Sequence, residues 1–180
     1  MRKITILLTL LICTLFSTVS AWAEEAPQTQ DDSRKALIAS FIKTKNSNLS
    51  EENLQNISNS IENISKTYNI PDTLIVAIMW QESTFNPQEV SGKCYGLMQA
   101  YGPTAEGLGY SKDQMLNSDL NLKYFGTYFS GLLKTFNNDY NLAISAYNQG
   151  PGRVKSGNYS TKFLERILEK ESKVKSYLGK

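Results

Sequence analysis

Residues 71–83 read PDTLIVAIMWQES, and they decide the fold: seven consecutive apolar residues, Leu74 to Trp80, run straight into Gln81, Glu82 and Ser83. A surface helix needs a polar face and this run has none, so a helix here is buried on all sides and forms the centre of a core. Pro71 suits the first helical turn, where a missing N–H costs nothing, and Asn86-Pro87 is a stop signal just past the end. Such a helix carries one carboxylate, Glu82, near its C-terminus. Burial and the negative end of the helix dipole both disfavour a charged carboxylate, so the pKa of Glu82 is expected to be raised. A carboxylic acid that stays protonated near neutral pH can donate a proton. From this stretch alone, an ordinary surface glutamate just past the core is an equally good reading.

The flanking segments predict helices around that centre. From Ser33, the residues Ala36, Leu37, Ile38, Phe41 and Ile42 recur at helical spacing, which predicts an amphipathic helix to about Lys45. Ser50 is a natural N-cap, with Glu51 and Glu52 in the first turn and Leu49 placed to staple onto Leu54. The stripe Leu54, Ile57, Ile61, Ile64, Tyr68 then faces the core. Residues 90–99 have two glycines and no helical period, so they read as a loop holding at most a small β excursion. A short helix at Pro103–Glu106 is stopped by Gly107 and Gly109. Asn117-Ser118-Asp119 offers N-caps for a helix that turns Leu122, Phe125, Phe129, Leu132, Leu133 and Phe136 inward. Leu142–Tyr147 starts a short buried helix ended by Gly150-Pro151-Gly152, and Thr161–Tyr177 forms the last helix, with Phe163, Leu164, Ile167 and Leu168 inward. The expected class is mostly α.

Composition narrows the chemistry. Met1-Arg2-Lys3, the mainly apolar Ile4–Val19 and Ala21-Trp22-Ala23 have the form of a secretory signal peptide over residues 1–23, so the protein is expected to be exported, to a periplasm, a cell wall or the medium. Residues 24–32 are polar, contain Pro27, and read as a disordered leader; residues 33–180 then form a single domain. Nineteen basic residues stand against seventeen acidic ones, and loss of Arg2 and Lys3 with the signal balances them. A neutral chain gives no electrostatic reason to expect nucleic acid or an anionic membrane as partner, and no stable membrane insertion is expected once the signal is cleaved. Cys94 is left as a lone cysteine, so no internal disulfide is expected. With no histidine in the chain, Ser-His and Cys-His nucleophiles and histidine metal sites are excluded. Neither a metal nor a cofactor is expected.

Three separated segments carry a known pattern: Ala77–Ser83 with Phe85-Asn86-Pro87, then Gly96-Leu97-Met98-Gln99 with Pro103-Thr104-Ala105, then Ala146-Tyr147-Asn148-Gln149-Gly150-Pro151-Gly152-Arg153-Val154. Together, in this order, they resemble the soluble lytic transglycosylase (SLT) family, over roughly residues 68–167. The resemblance implies a lysozyme-like helical domain around the buried helix, acting on peptidoglycan glycan strands as a monomer without a cofactor. It implies cleavage between N-acetylmuramic acid and N-acetylglucosamine with a 1,6-anhydro end as product.

Carried over residue by residue, the resemblance makes Glu82 the catalytic acid, which then serves as base toward the C6 hydroxyl. A second carboxylate is not required where the substrate's N-acetyl group stabilises the positive centre. Ser83, Met98, Gln99, Tyr128, Tyr147 and Asn148 match cleft positions, with Asn121 at the start of the stretch that contains Tyr128. By residue type alone Ser83 is equally a helix C-terminal cap, Met98 a core filler and Tyr147 a buried ring seeking any partner. Lys93-Cys94-Tyr95 replaces the family's Gly-Ala pair, Ala100-Tyr101-Gly102 replaces its usual segment after the glutamine, and Gly126 lies one place late. Two alternatives stay open: a hydrolase of the same bond on the same fold, and a non-catalytic glycan-binding or scaffolding module of an envelope apparatus.

Overall fold

A computed structural model describes residues 30–179. The expected signal peptide and leader residues 24–29 lie outside the described residues. The chain order is α1 (Gln30–Lys45), α2 (Glu51–Tyr68), α3 (Asp72–Ser83), β1 (Val90–Ser91), β2 (Cys94–Tyr95), β3 (Ala100–Tyr101), α4 (Gly102–Gly107), α5 (Ser118–Thr135), α6 (Tyr140–Gln149), α7 (Pro151–Lys155) and α8 (Lys162–Tyr177).

The apolar run behaves as its composition requires. Leu74 through Met79 are at most 3% exposed, and α3 sits within a continuous core formed by residues of α1, α2, α5, α6 and α8. α8 packs along it, fastened where Thr73 Oγ1 donates to the buried Glu171 carboxylate at 2.9 Å. At its N-terminal end, Asp72 accepts two hydrogen bonds from Arg34 of α1, at 2.8 and 3.0 Å. α2 starts at Ser50, whose Oγ accepts from the Asn53 N–H at 3.2 Å, and ends at Asn69 in the left-handed conformation. Its stripe packs on α5, and α1 covers its other side.

Several local details differ from the sequence reading. α1 begins at Gln30, with Asp31 and Asp32 in its first turn, where they favour the helix dipole. The β excursion is a three-stranded antiparallel sheet, because Ala100–Tyr101 returns to pair with Cys94–Tyr95. α6 begins at Tyr140, two residues before Leu142, since Asp139 caps it by accepting from the Leu142 N–H at 3.0 Å. Gly150-Pro151 ends α6 and at once opens α7, proline being well suited to the first position of a helix. Leu168 points outward at 44% exposure. The buried positions of α8 are Phe163, Ile167, Glu171 and Val174, and the residue after Ile167 is turned about 100° away from that stripe.

One polar residue fastens the sheet to the helices. Asn121, fully buried in α5, accepts from the Met98 N–H at 2.8 Å and donates to the carbonyls of Met115 at 2.8 Å and Tyr95 at 3.0 Å. The chain passes so close here that a Cβ on Gly96, at φ +74°, would lie 2.0 Å from the Met115 carbonyl oxygen. Only glycine fits that position. Replacing Asn121 by the similarly sized leucine leaves three backbone groups without partners, so Asn121→Leu is expected to lower unfolding free energy by about 3 kcal/mol or more, read by chemical denaturation. A loss below about 1 kcal/mol would show that the loop finds other partners.

Candidate active site

Glu82 lies in the last turn of α3, and the backbone immediately after it reverses sharply. Thr84 and Phe85 both take the left-handed conformation, at φ 49° and 61°, which β-branched and aromatic residues rarely adopt. The turn is held by complete burial of Phe85 and by Asn46, which donates to the Phe85 carbonyl at 3.1 Å. Ser83 Oγ lies within hydrogen-bond reach of the Leu97 carbonyl at 2.7 Å and the Met79 carbonyl at 3.3 Å. Ser83 is therefore a buried tie between the end of α3 and the 96–99 loop, rather than a cleft residue.

The loop opposite is fixed just as firmly. The Met98 side chain is fully buried in the core, and its backbone does the positional work: its N–H goes to Asn121, and its carbonyl accepts from the Tyr147 hydroxyl at 2.6 Å. Gln99, at φ 46°, donates from Nε2 to the Gly96 carbonyl at 3.0 Å and the Glu89 carbonyl at 3.2 Å. Because the Tyr147 hydroxyl spends its proton on Met98, it can only accept on any other side.

Between these supports lies a cleft of about 450 Å³. α3 contributes Glu82, the sheet Cys94 and Tyr101, the 96–99 loop Gln99, α4 Thr104, α5 Tyr124 and Tyr128, and the α6–α7 junction the run from Tyr147 to Pro151. Of the seven residues assigned from the sequence, the structure brings together Glu82, Gln99, Tyr128, Tyr147 and Asn148, and leaves Ser83 and Met98 behind the wall. Glu82 is the one carboxylate among the lining residues. A larger groove, about 570 Å³, runs between α1 and α2, but its charged residues are surface side chains, several in ion pairs such as Lys35 with Asp32 and Lys43 with Glu51.

Tyrosines make up one side of the cleft. Tyr124 and Tyr128 stack with ring centroids 5.8 Å apart at 16°, and Tyr147 follows at 5.9 Å from Tyr128. Tyr124 is a cleft residue that the sequence reading missed. Its position four residues before Tyr128 on α5 places both on one helix face, and that was the available signal. Cys94 is a half-buried part of the wall.

The electrostatics single out one group. Burial pushes the Glu82 carboxyl up to about 7, against the opposing pull of the Arg166 guanidinium. Burial and the nearby Glu82 charge raise Cys94 and Tyr147, while Tyr124 and Tyr128 are raised chiefly by burial. At neutral pH the wall is thus uncharged, and Glu82 alone changes protonation there. Nothing in the sequence singles out Arg166, because a cation's influence on a group from another helix leaves no trace in local spacing.

A family model described as Transglycosylase SLT domain matches residues 59–173. The chain belongs to the SLT domain family. This SLT chain is 33% identical over 112 residues to membrane-bound lytic murein transglycosylase C of Edwardsiella ictaluri, covering 52% of this chain and 31% of that one. It is 34% identical over 96 residues to the soluble lytic murein transglycosylase of Escherichia coli K12, covering 48% and 15%. It spans less than a third of the length of either relative. An inactive mutant of the lytic transglycosylase Slt from Pseudomonas aeruginosa superposes with a TM-score of 0.51 at 27% identity, over 66% of this chain and 22% of that one. The 70-kDa soluble lytic transglycosylase of Escherichia coli gives 0.53 at 21% identity, over 84% and 30%, a likeness of fold.

The raised Glu82 has a consequence for stability. Between its ordinary value of 4.5 and its folded value near 7, the folded state keeps a proton that the unfolded state has lost, so stability falls as pH rises through that window. Glu82→Gln removes the titration. Its stability relative to the parent protein is expected to grow from pH 4 to pH 8 by about 2 kcal/mol, after discounting for the partly open side chain. Denaturation curves at the two pH values check this, and a difference that does not change with pH contradicts it.

Proposed function

We propose that this SLT domain is a peptidoglycan lytic transglycosylase that cleaves the β-1,4 bond between N-acetylmuramic acid and N-acetylglucosamine and leaves a 1,6-anhydro end. The observation that carries the reading is the single, half-buried carboxyl of Glu82, raised to about 7 in a cleft with no other carboxylate among its lining residues. One group with a pKa near neutrality serves well as an acid and then as a base.

The protonated Glu82 donates to the glycosidic oxygen as the bond to C1 of the muramic acid breaks, and the N-acetylglucosamine leaves with its 4-hydroxyl restored. The substrate's N-acetyl group stabilises the positive charge at C1. The Glu82 carboxylate then takes the proton of the C6 hydroxyl, whose oxygen closes on C1. The cycle ends with Glu82 protonated again, and no water is consumed. Asn148 offers its amide to the sugar, Gln99 its side-chain carbonyl oxygen, both amide hydrogens being taken by backbone, and the half-buried Tyr128 an aromatic ring backed by the buried Tyr124. Tyr147 acts as a positioning residue by holding the 96–99 loop to α6. Ser83 and Met98 support that arrangement from behind. The apolar, basic-flanked start of the chain accords with export to where murein lies, and no helix among the described residues is long and apolar enough to cross a membrane.

Mass spectrometry of digested sacculi tests the proposal. Anhydro-muropeptides are expected from the parent protein, with Glu82→Gln slower by roughly a thousandfold. The kcat/KM for strand cleavage is expected to fall about tenfold per pH unit above the folded Glu82 pKa, because only the protonated acid starts the reaction. Products heavier by one water assign a hydrolase instead, and glycan binding without products assigns a scaffolding role.

A further inference from the structure

Gln149, the last residue of α6, has its side chain tied to a distant part of the chain. Its Oε1 accepts from the Ser160 N–H and its Nε2 donates to the Ser160 carbonyl, each at 2.8 Å. One amide thus meets both backbone groups of a single residue, as the opposite residue does in a hydrogen-bonded antiparallel pair. Ser160 lies two residues before α8, and α8 packs on both α6 and α3, the helix that carries Glu82. Little else holds this junction. Gly150 turns at φ 85° and ψ 146°, Pro151 has no N–H, and α7 starts without a side-chain cap. In the cleft run from Tyr147 to Pro151, Gln149 is the one residue whose side chain bonds to the 156–161 segment among the described residues. Asn148 beside it is exposed at the cleft, and its amide makes no hydrogen bond among the described residues.

We infer that Gln149 is a positioning residue for the substrate: by clamping the Ser160 backbone it fixes the last turn of α6 and so holds the Asn148 amide in place at the edge of the cleft. This rests on the proposed glycan substrate. Helix ends are the turns that fray first, and Asn148 stands in such a turn. From inside the helix, the Gly150 N–H holds that turn by donating to the Ala146 carbonyl at 2.8 Å. From outside, the clamp holds it against the approach to α8. An amide kept in one place before the sugar arrives loses less freedom when it binds. Asn148 offers both donors and an acceptor, the pattern that sugar hydroxyl and acetamide groups answer. Gln149 therefore acts on the sugar through its neighbour, although its own side chain lines the same cleft.

Glu82→Gln protein titrated with soluble glycan strands reads binding without turnover. Adding Gln149→Ala is expected to weaken binding about fivefold. Gln149→Glu, which keeps the size but at neutral pH cannot donate to the Ser160 carbonyl, should weaken it by a similar factor. Asn148→Ala should also cost about fivefold, and changing both residues to alanine should be no worse than either change alone. In protein that keeps Glu82, Gln149→Ala should raise KM about fivefold with kcat nearly unchanged. By hydrogen exchange, the Ser160 amide should lose protection in Gln149→Ala while the amides of α3 keep theirs. Losses that multiply in the double variant give Gln149 a sugar contact of its own and overturn the inference. Full affinity in Gln149→Ala or Gln149→Glu overturns it too, as does loss of protection throughout α3. Coupled losses alongside parent protein that yields no anhydro-muropeptides would sink the proposed reaction and leave the positioning role standing.

Discussion

The complete burial of α3 is the constraint on which the rest depends. A helix with no polar face has to be surrounded, and every major helix of the domain contributes to surrounding it. The burial that stabilises the fold is therefore also what acts on the carboxyl at the helix end. Glu82 sits where the core opens into the cleft, close enough to the apolar interior to lose water and open enough to meet a ligand. Its raised pKa is a by-product of the same burial, with Arg166 moderating the shift. The helix dipole, anticipated from the sequence as a second cause, is not needed to account for the direction.

A desolvated acid is useful only if its surroundings stay still. Here that rigidity comes from a small number of buried hydrogen bonds to backbone: Ser83 to Leu97, Asn121 to Tyr95, Met98 and Met115, and Tyr147 to Met98. They join α3, α5 and α6 to one short loop. The unfavourable left-handed conformations of Thr84, Phe85 and Gln99 cluster around the same junction. Such strain persists only where the surroundings over-determine it, and here both flanks of the cleft are pinned.

The sequence made the buried helix, its stripe-bearing neighbours and the acid legible, because each rests on local periodicity or on residue type at a helix end. The pairing of Ala100–Tyr101 with Cys94–Tyr95 was not legible, since strands of two residues carry no period and this one depends on Gly96 passing beneath Met115. Leu168 was misread because an apolar residue adjoining a buried one still satisfies a loose helical pattern. Ser83 and Met98 lie in the right motifs, yet their contacts are with backbone behind the wall, a distinction that depends on tertiary geometry. Tyr124 was marked only by lying four residues before Tyr128, and nothing local marks Arg166, whose pull on Glu82 depends on how α8 packs on α3.

The central claim is that burial raises the Glu82 carboxyl so that it titrates near neutral pH. A pH titration of the side-chain carboxyl by carbon-detected NMR, with Glu82→Gln to assign the resonance, measures this without substrate. The account predicts a midpoint near 7. A midpoint at the ordinary carboxylate value of 4.5 would contradict it.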